Sequence, residues 1–524
     1  MTIARLLLRS AQLWGDRPAL IDTASGRSFS FSAMAESSFH FGQKLRQRGL
    51  AGGDRVAILA DASAAYLIAD YGSMSAGLVR VPLDPSLSAD ELGNQIRGAQ
   101  ARILLFDAQR AGLAAQLIET VRIGIELLAV DMGVFDHARA DVLTAPPGDD
   151  DVLLSSLASL NYTGGTSGQP KAVMLSHGNL CAIVQNIVMA RAAGSGMGPG
   201  DVMVNMRPLW PIAAVIVLAH FAAGGTVVLG GRFEPARMVS MLEEYRAAAT
   251  SMVPTHLVRL LRDCPASALR SLAALRSIDM GAASVPLETF EQAFDAFGPK
   301  IGVLYGLTEA SWSCYQPPLA LDVPPDIRRA RMTSVGRPVF GCDIMIAAEA
   351  GPALPGQPGE ILIRGPHVMK GYWKRPDLTA QVLKNDWFST GDLGVVSQDG
   401  IVSIIGRIKE VIRTGGKSVQ PGEVEAALCQ YPGVEEASVV GIPDAEWGEL
   451  VTAFIVASPG AAIAERALKD HCATVLSPHK RPKLIQIVAE LPKSHYGKIQ
   501  RGKVRDAAIE LYRDKTSGRS APER

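Results

Sequence analysis

Asn161-Tyr-Thr-Gly-Gly-Thr-Ser-Gly-Gln-Pro-Lys171 directly follows the apolar run Leu153–Leu160. Gly164, Gly165 and Gly168 let the backbone bend close to an anion. Thr163, Thr166 and Ser167 add hydroxyl donors, and Lys171 adds a positive charge, which together is the composition of a phosphate cradle. The stretch is not a Walker A loop. That motif needs a second glycine five residues after the first, and Gln169 stands there. A Gly/Thr-rich segment of this kind also serves as a plain turn, so its flanks decide its meaning.

Upstream, strand-like and helix-like segments alternate. Short β-rich runs at Arg55–Leu59, Leu78–Pro82 and Arg102–Phe106 enclose helical stretches such as Ala62–Met74. Ser88 and Glu91 have the spacing of a capping box ahead of Leu92. This alternation predicts parallel sheets covered by helices. Loops are expected at Asp141–Asp151 and at the proline-bearing Gln316–Arg329. After Gly406 the pattern changes. A strand at Ile401–Ile405 precedes a helix at Gly422–Gln430 behind Pro421, a residue suited to a first helical turn. Strands at Ala437–Gly441, Val451–Val456 and Leu484–Ala489 and a helix at Ala464–Ala473 complete a separate α+β domain. Residues 513–524 are expected to be a frayed tail.

Composition bounds the function. The chain has 524 residues, 48% hydrophobic and 20% charged, enough apolar mass for several cores. Lys plus Arg equals Asp plus Glu at 52 each, which argues against a nucleic-acid surface. The six cysteines show no metal or redox spacing and predict reduced thiols in a cytoplasmic protein. The N-terminal Leu6–Leu8 run is too short for a secretory signal. No residue from Pro208 to Gly231 carries a formal charge, so a membrane span must be weighed. Pro211, His220 and Gly224-Gly225 favour a buried helix Ile212–Ala222, a turn, and a buried strand Thr226–Leu229.

Further motifs follow in order: Gly281-Ala-Ala283, Tyr305-Gly-Leu-Thr-Glu-Ala310, Ser389-Thr-Gly-Asp-Leu393 and Gly406-Arg-Ile-Lys-Glu410. Then come Thr414-Gly-Gly-Lys417, Pro421-x-Glu-Val-Glu425 and Leu491-Pro-Lys-Ser-His-Tyr-Gly-Lys-Ile-Gln-Arg501. This set, with the Thr163–Lys171 loop, resembles the adenylate-forming superfamily of acyl-CoA synthetases, adenylation domains and luciferase. The resemblance spans essentially the whole chain.

The resemblance implies an α/β fold. A large N-terminal domain, residues 1–406, would have two layered βα subdomains and a small β-barrel-like part. A mobile α+β lid, residues 410–512, would be hinged at Lys409. It also implies an ATP-dependent ligase that forms an acyl-adenylate and passes the acyl group to coenzyme A. Pushing a carboxylate onto an α-phosphate brings two anions together, so cations and Mg²⁺ are expected.

Thr163, Gly164, Gly165, Thr166, Ser167, Gly168 and Lys171 would cradle the β- and γ-phosphates. Glu309 would bind Mg²⁺ and Thr308 the α-phosphate. Gly281, Ala282 and Ala283 would flank adenine, with Tyr305 and Gly306 closing its other side. Asp392 would accept from the ribose hydroxyls and Arg407 would add a second contact. Lys498 would bridge the substrate carboxylate and the α-phosphate, which suits a compact charge on a flexible stem. Gly415 and Gly416 would let the pantetheine arm pass.

Two departures bear on the substrate. The Gly-Gly form of the loop is familiar among fatty acyl-CoA ligases. Many CoA ligases carry an aromatic–His pair after Pro-Leu, whereas Pro208-Leu209 is followed here by Trp210-Pro211, and His220 cannot be assumed to replace that histidine. The segment Ile212–Leu218 holds no acid to pair with an ammonium group, which disfavours an amino acid. Trp210, Ile212 and Trp312, with Ser313, are acyl-pocket candidates, each of them equally a core residue. A medium- or long-chain fatty acid is the first expectation and an aromatic acid the second. Transfer to a separate carrier protein, or a ligand-binding paralogue without catalysis, are the other readings.

Overall fold

The computed structural model describes residues 1–121, 124–131, 152–163, 170–194, 197–283, 285–349, 351–493 and 499–517. The chain divides into two compact units. The first comprises Met1–Ile344 and Leu362–Ser389, the second Met345–Ile361 and Thr390–Arg524.

The first unit contains two large sheets. One runs in the order Gly371–Tyr372, Lys171–Ser176, Leu157–Thr163, Val79–Pro82, Arg55–Leu59, Ala101–Phe106, Glu126–Ala129. Its last five strands are parallel, while Lys171–Ser176 pairs antiparallel on both sides. Leu59, Val81, Leu104 and Leu160 point into one core with Leu92 and Ile96 of the helix Ala89–Ala99. Ser88 and Glu91 form the capping box at the start of that helix.

The second large sheet has nine strands. Its centre is parallel: Ile301–Leu307, Ser277–Met280, Ala249–Met252, Val202–Asn205, Thr226–Leu229 and Pro18–Asp22. Ala310–Gln316 and Arg337–Pro338 extend it antiparallel at one edge and Arg27–Ser30 at the other.

The uncharged run resolves as a buried helix, Ala214–Ala222, and the strand Thr226–Leu229. Gly224 between them has φ +80°, and a Cβ there would lie 2.7 Å from the Trp14 ring, so only glycine fits. Among the described residues no helix is long and apolar enough to cross a membrane.

A six-stranded sheet takes the place of the small β part. Its strands are Asp343–Ala348, Gly351–Pro352, Gly359–Arg364, Leu383–Lys384, Trp387–Val396 and Val402–Arg407. In the second unit a five-stranded sheet is built on the long hairpin Val434–Asp444 and Gly448–Ala457. The helices Pro421–Cys429 and Glu465–Val475 share one core with this sheet through Val424, Leu428, Leu468 and Cys472. The helix Arg501–Ser517 forms another core with it through Val504 and Ala508.

Two expectations need correction. The loop expected at Gln316–Arg329 runs into a helix, Pro325–Met332. Pro325 occupies its first turn, where a missing N–H costs nothing, so the proline begins the helix instead of breaking it. The tail read as frayed from residue 513 starts inside the helix Arg501–Ser517, which Tyr512 anchors by donating to Asp444 Oδ2 at 2.6 Å. The loop expected at Asp141–Asp151 lies outside the described residues.

Candidate active site

Thr163 and Lys171 are register partners at the ends of neighbouring antiparallel strands, so the strand pair closes the base of the Gly-rich loop. Gly164, Gly165, Thr166, Ser167 and Gly168 themselves lie outside the described residues. The Lys171 ammonium sits 5.1 Å from the centroid of the Tyr372 ring. The Tyr372 hydroxyl donates to Glu309 Oε1 at 2.9 Å.

Residues 369–373 are stitched between these groups. Met369 N–H donates to the Glu309 carbonyl, Lys370 N–H to that of Met174 and Trp373 N–H to that of Ala172. Tyr372 therefore joins the loop's lysine to the expected metal carboxylate. Sequence reasoning missed it. Gly371-Tyr-Trp373 shows no periodicity, and its Gly-aromatic pattern is the one cue that could have marked it.

Glu309 closes the turn between Ile301–Leu307 and Ala310–Gln316, with Thr308 beside it. Both are half-buried. Among the described residues its carboxylate meets a neutral hydroxyl and no cation. That leaves a full negative charge, which fits Mg²⁺, an ion that takes one or two carboxylates and fills its shell with phosphate and water.

Gly281 follows the end of Ser277–Met280, and Tyr305 lies near the end of the adjacent parallel strand. They share the carboxyl edge of the sheet, where open α/β folds bind ligands. Tyr305 is buried, whereas Ala282 and Ala283 are exposed. Ala282 has φ +73°, a strained conformation for a residue with a side chain. A Cβ on Gly306 would lie 2.6 Å from the Trp312 backbone nitrogen, so Gly306 admits no side chain. Just beneath Gly281, Asp279 forms a buried ion pair with Arg191 at 2.9 Å and accepts from Tyr315 and Ser277.

Trp210 and Trp312 are both buried, and Ile212 is half-buried. Arg80 Nη2 donates to the Pro211 carbonyl at 3.3 Å, next to Trp210. Trp312 has φ +57°, and its ring packs 5.5 Å from that of Tyr315. Ser313 bonds the fully buried His367 at 3.0 Å. His220 is held in the core by Arg191 and the Ile216 carbonyl. Burial, and then the Arg191 charge, push its pKa down to about 3.

In the second unit Asp392 and Arg407 are register partners joined at 2.8 Å. Asp392 is buried, and its N–H donates to Thr390 Oγ1. Gly415 and Gly416, with φ +54° and +74°, make the two-residue turn of a hairpin, as the positive-φ turn type demands. Gly415 N–H donates to the Trp447 carbonyl. Lys409 lies in the short helix Ile408–Glu410. Lys498 lies outside the described residues, and the bridged pair Lys493 and Ile499 brackets its segment.

The first unit thus gathers Lys171, Tyr372 and Glu309, and separately aligns Gly281 with Tyr305. The second gathers Asp392 with Arg407.

Residues 7–373 match the AMP-binding enzyme family, and residues 423–498 match the AMP-binding enzyme C-terminal domain. A feruloyl-CoA synthase from Amycolatopsis sp is 34% identical over 92% of this chain and 94% of its own. A sulfoacetate–CoA ligase from Cupriavidus necator is 32% identical over 96% of this chain and 97% of its own. The structure of ATP-bound MatB from Rhodopseudomonas palustris superposes with a TM-score of 0.87 at 28% identity, covering 98% of this chain and all of that one. The chain therefore belongs to the AMP-binding enzyme family and is an AMP-forming ligase of the acyl-CoA synthetase type.

Proposed function

We propose that this enzyme uses Mg·ATP to convert a hydrophobic carboxylic acid to its acyl-adenylate, releasing pyrophosphate, and then transfers the acyl group to the thiol of coenzyme A. The observation that carries the reading is the Lys171–Tyr372–Glu309 cluster beside the base of the Gly-rich loop. It sets a cation for the phosphates next to a carboxylate for the metal. Magnesium, when bound, would offset the charge that gathers as the acid meets the α-phosphate. Asp392 and Arg407 take the ribose, Thr308 and Lys498 the α-phosphate. Lys409 serves as the hinge, and the Gly415-Gly416 turn takes the pantetheine arm in the second step. We place the enzyme in the cytoplasm, on the absence of metal or redox spacing among its six cysteines.

For the acid, an aromatic substrate moves ahead of a fatty one. Of the acid-free segment Ile212–Leu218, residues Ala214–Leu218 belong to a helix packed into the core, where Phe221 meets Phe31 and Tyr71 edge-on. Trp210, Ile212 and Trp312 remain as pocket candidates, and the two indoles suit a flat ring better than a long flexible chain. The 34% identity to a feruloyl-CoA synthase supports the same reading. The fatty-acid reading keeps the Gly164-Gly165 form of the loop in its favour.

The test is pyrophosphate release across hydroxycinnamates, benzoate, octanoate, palmitate and acetate, each with and without CoA. Multiple turnovers with an aromatic acid only when CoA is present would support the proposal. Turnover with fatty acids alone would reverse the substrate reading. An adenylate that CoA does not discharge would replace CoA with a carrier protein.

A further inference from the structure

Lys171 lies over the face of the Tyr372 ring, and Glu309 accepts from its hydroxyl. Among the described residues they form no ion pair with each other or with any other side chain. Lysine has a flexible four-carbon stem, and a bare carboxylate nearby is its natural partner. Tyr372 touches both, and its placement is fixed in several ways. Its strand pairs with Lys171–Ser176, with Tyr372 opposite Val173. Its N–H donates to Thr379 Oγ1 at 2.9 Å, and that hydroxyl donates to the Arg375 carbonyl. Gly371 has φ +131°, and a Cβ there would lie 2.6 Å from Thr379 Cγ2, so the chain passes Thr379 too closely for any other residue.

We propose that Tyr372 is a positioning residue that keeps Lys171 and Glu309 in separate roles. Its ring face holds the ammonium, and its hydroxyl holds one oxygen of the carboxylate. Lys171 then stays available to phosphate, and the second oxygen of Glu309 stays available to the metal. Without the ring the two charges collapse onto each other, and each is lost to the nucleotide. A cation over a ring face is held without being neutralised, which an acidic partner could not do. The inference rests on the reading of Glu309 as the magnesium carboxylate.

The test needs no turnover. Mn²⁺ replaces magnesium as a paramagnetic probe, and its binding to the enzyme with ATP is titrated by EPR in the absence of acid. The affinity for metal-free ATP is measured in parallel. Tyr372→Phe keeps the ring and loses the hydroxyl. Mn²⁺ binding should weaken about tenfold, the worth of a hydrogen bond to a charged group, while metal-free ATP binds as in the wild type. Tyr372→Leu removes the ring, so ATP affinity should fall as well. Adding Glu309→Gln to Tyr372→Leu should restore that ATP affinity, a rescue that loss of packing would not give. Tyr372→Phe retains the ring's packing and decides the matter if Tyr372→Leu does not fold. Wild-type Mn²⁺ binding in Tyr372→Phe, with Glu309→Gln impaired, would overturn the role of Tyr372 alone. Wild-type Mn²⁺ binding in Glu309→Gln would overturn the metal reading and the proposal together.

Discussion

Asp392 Oδ1 and Arg407 Nε lie 2.8 Å apart at paired positions of neighbouring antiparallel strands. The two side chains expected to reach the ribose thus hold each other. Arg407 is partly exposed and Asp392 is almost fully buried, so removing either one has a different cost. Arg407→Ala leaves a buried carboxylate without its cation and should lower both the melting temperature and ATP affinity. Asp392→Asn should raise the KM for ATP with a smaller change in melting temperature. The double mutant should be less impaired than the sum of the two, with a coupling of about 0.5–3 kcal/mol. Additive effects would show that the pair does not act as a unit.

Lys498→Ala separates the two half-reactions. Adenylate formation should fall on the order of 10²–10³-fold, as for loss of one preorganised charge-stabilising donor. Thioester formation from pre-made adenylate should persist. Rapid-quench measurement of each step decides it. Equal loss in both would assign Lys498 a structural role.

Gly415 and Gly416 make contrasting probes of the thioester step. Each has positive φ, but a Cβ at Gly415 would lie 3.1 Å from the Trp447 ring, while one at Gly416 meets nothing within 4 Å. Gly416→Ala should cost about 1 kcal/mol of backbone strain and slow CoA transfer less than the change at Gly415. Gly415→Ala should cost more and slow CoA transfer while pyrophosphate release in the first step is unchanged. Melting curves and the two half-reactions together report this.

Acid should unfold the first unit early. Burial pushes His177 and His367 down to about 4 and His220 to about 3, against 6.5 for an exposed histidine. In the unfolded chain these groups take up protons as the pH falls through 6.5, while the folded protein does not. Their contribution to stability is therefore full above about pH 7 and is lost as the pH falls from 6.5 toward 4. Each contributes a slope of up to about 1.4 kcal/mol per pH unit. The melting temperature should be flat above pH 7 and drop steeply below 6. His177→Gln should make that drop shallower, and an unchanged profile would exclude the histidine mechanism.

Arg80 and Asp70 form a fully buried ion pair at 2.7 Å, and Arg80 also reaches the Pro211 carbonyl beside Trp210. Arg80→Met should destabilise the protein by about 3–5 kcal/mol, because it strands a buried carboxylate. Adding Asp70→Asn should recover part of that. If the segment beside Trp210 borders the acid, the KM for acid should rise more than the KM for ATP, and Michaelis profiles for the two substrates test this.

The sequence was most informative where local chemistry decides. The strands Arg55–Leu59 and Thr226–Leu229 occupy the expected residues, because each is a β-rich run ended by turn-forming chain. The Ser88–Glu91 box is visible because its two bonds span three residues. Pairings made across long separations left no such trace. Arg191 meets Asp279, Arg80 meets the Pro211 carbonyl, and Tyr372 meets Glu309, each through tertiary packing alone. The strand Gly371–Tyr372 is two residues long, too short for any period to register. The Ala214–Ala222 helix was legible as buried, but whether it faces a ligand or the core depends on neighbours such as Phe31 that lie far away in the chain.

The first unit is not one continuous stretch of chain: it leaves at Ile344 and resumes at Leu362 to supply Gly371–Tyr372 as the edge strand beside Lys171–Ser176. Any attempt to express the amino-terminal half alone must respect this. A fragment ending at residue 344 would expose the backbone of Lys171–Ser176 along a bare sheet edge, an open invitation to self-association. A fragment carried through Ser389 keeps Lys171–Ser176 covered but cuts Trp387–Val396, the neighbour of Gly359–Arg364, within its length, so the bare edge moves to the six-stranded sheet.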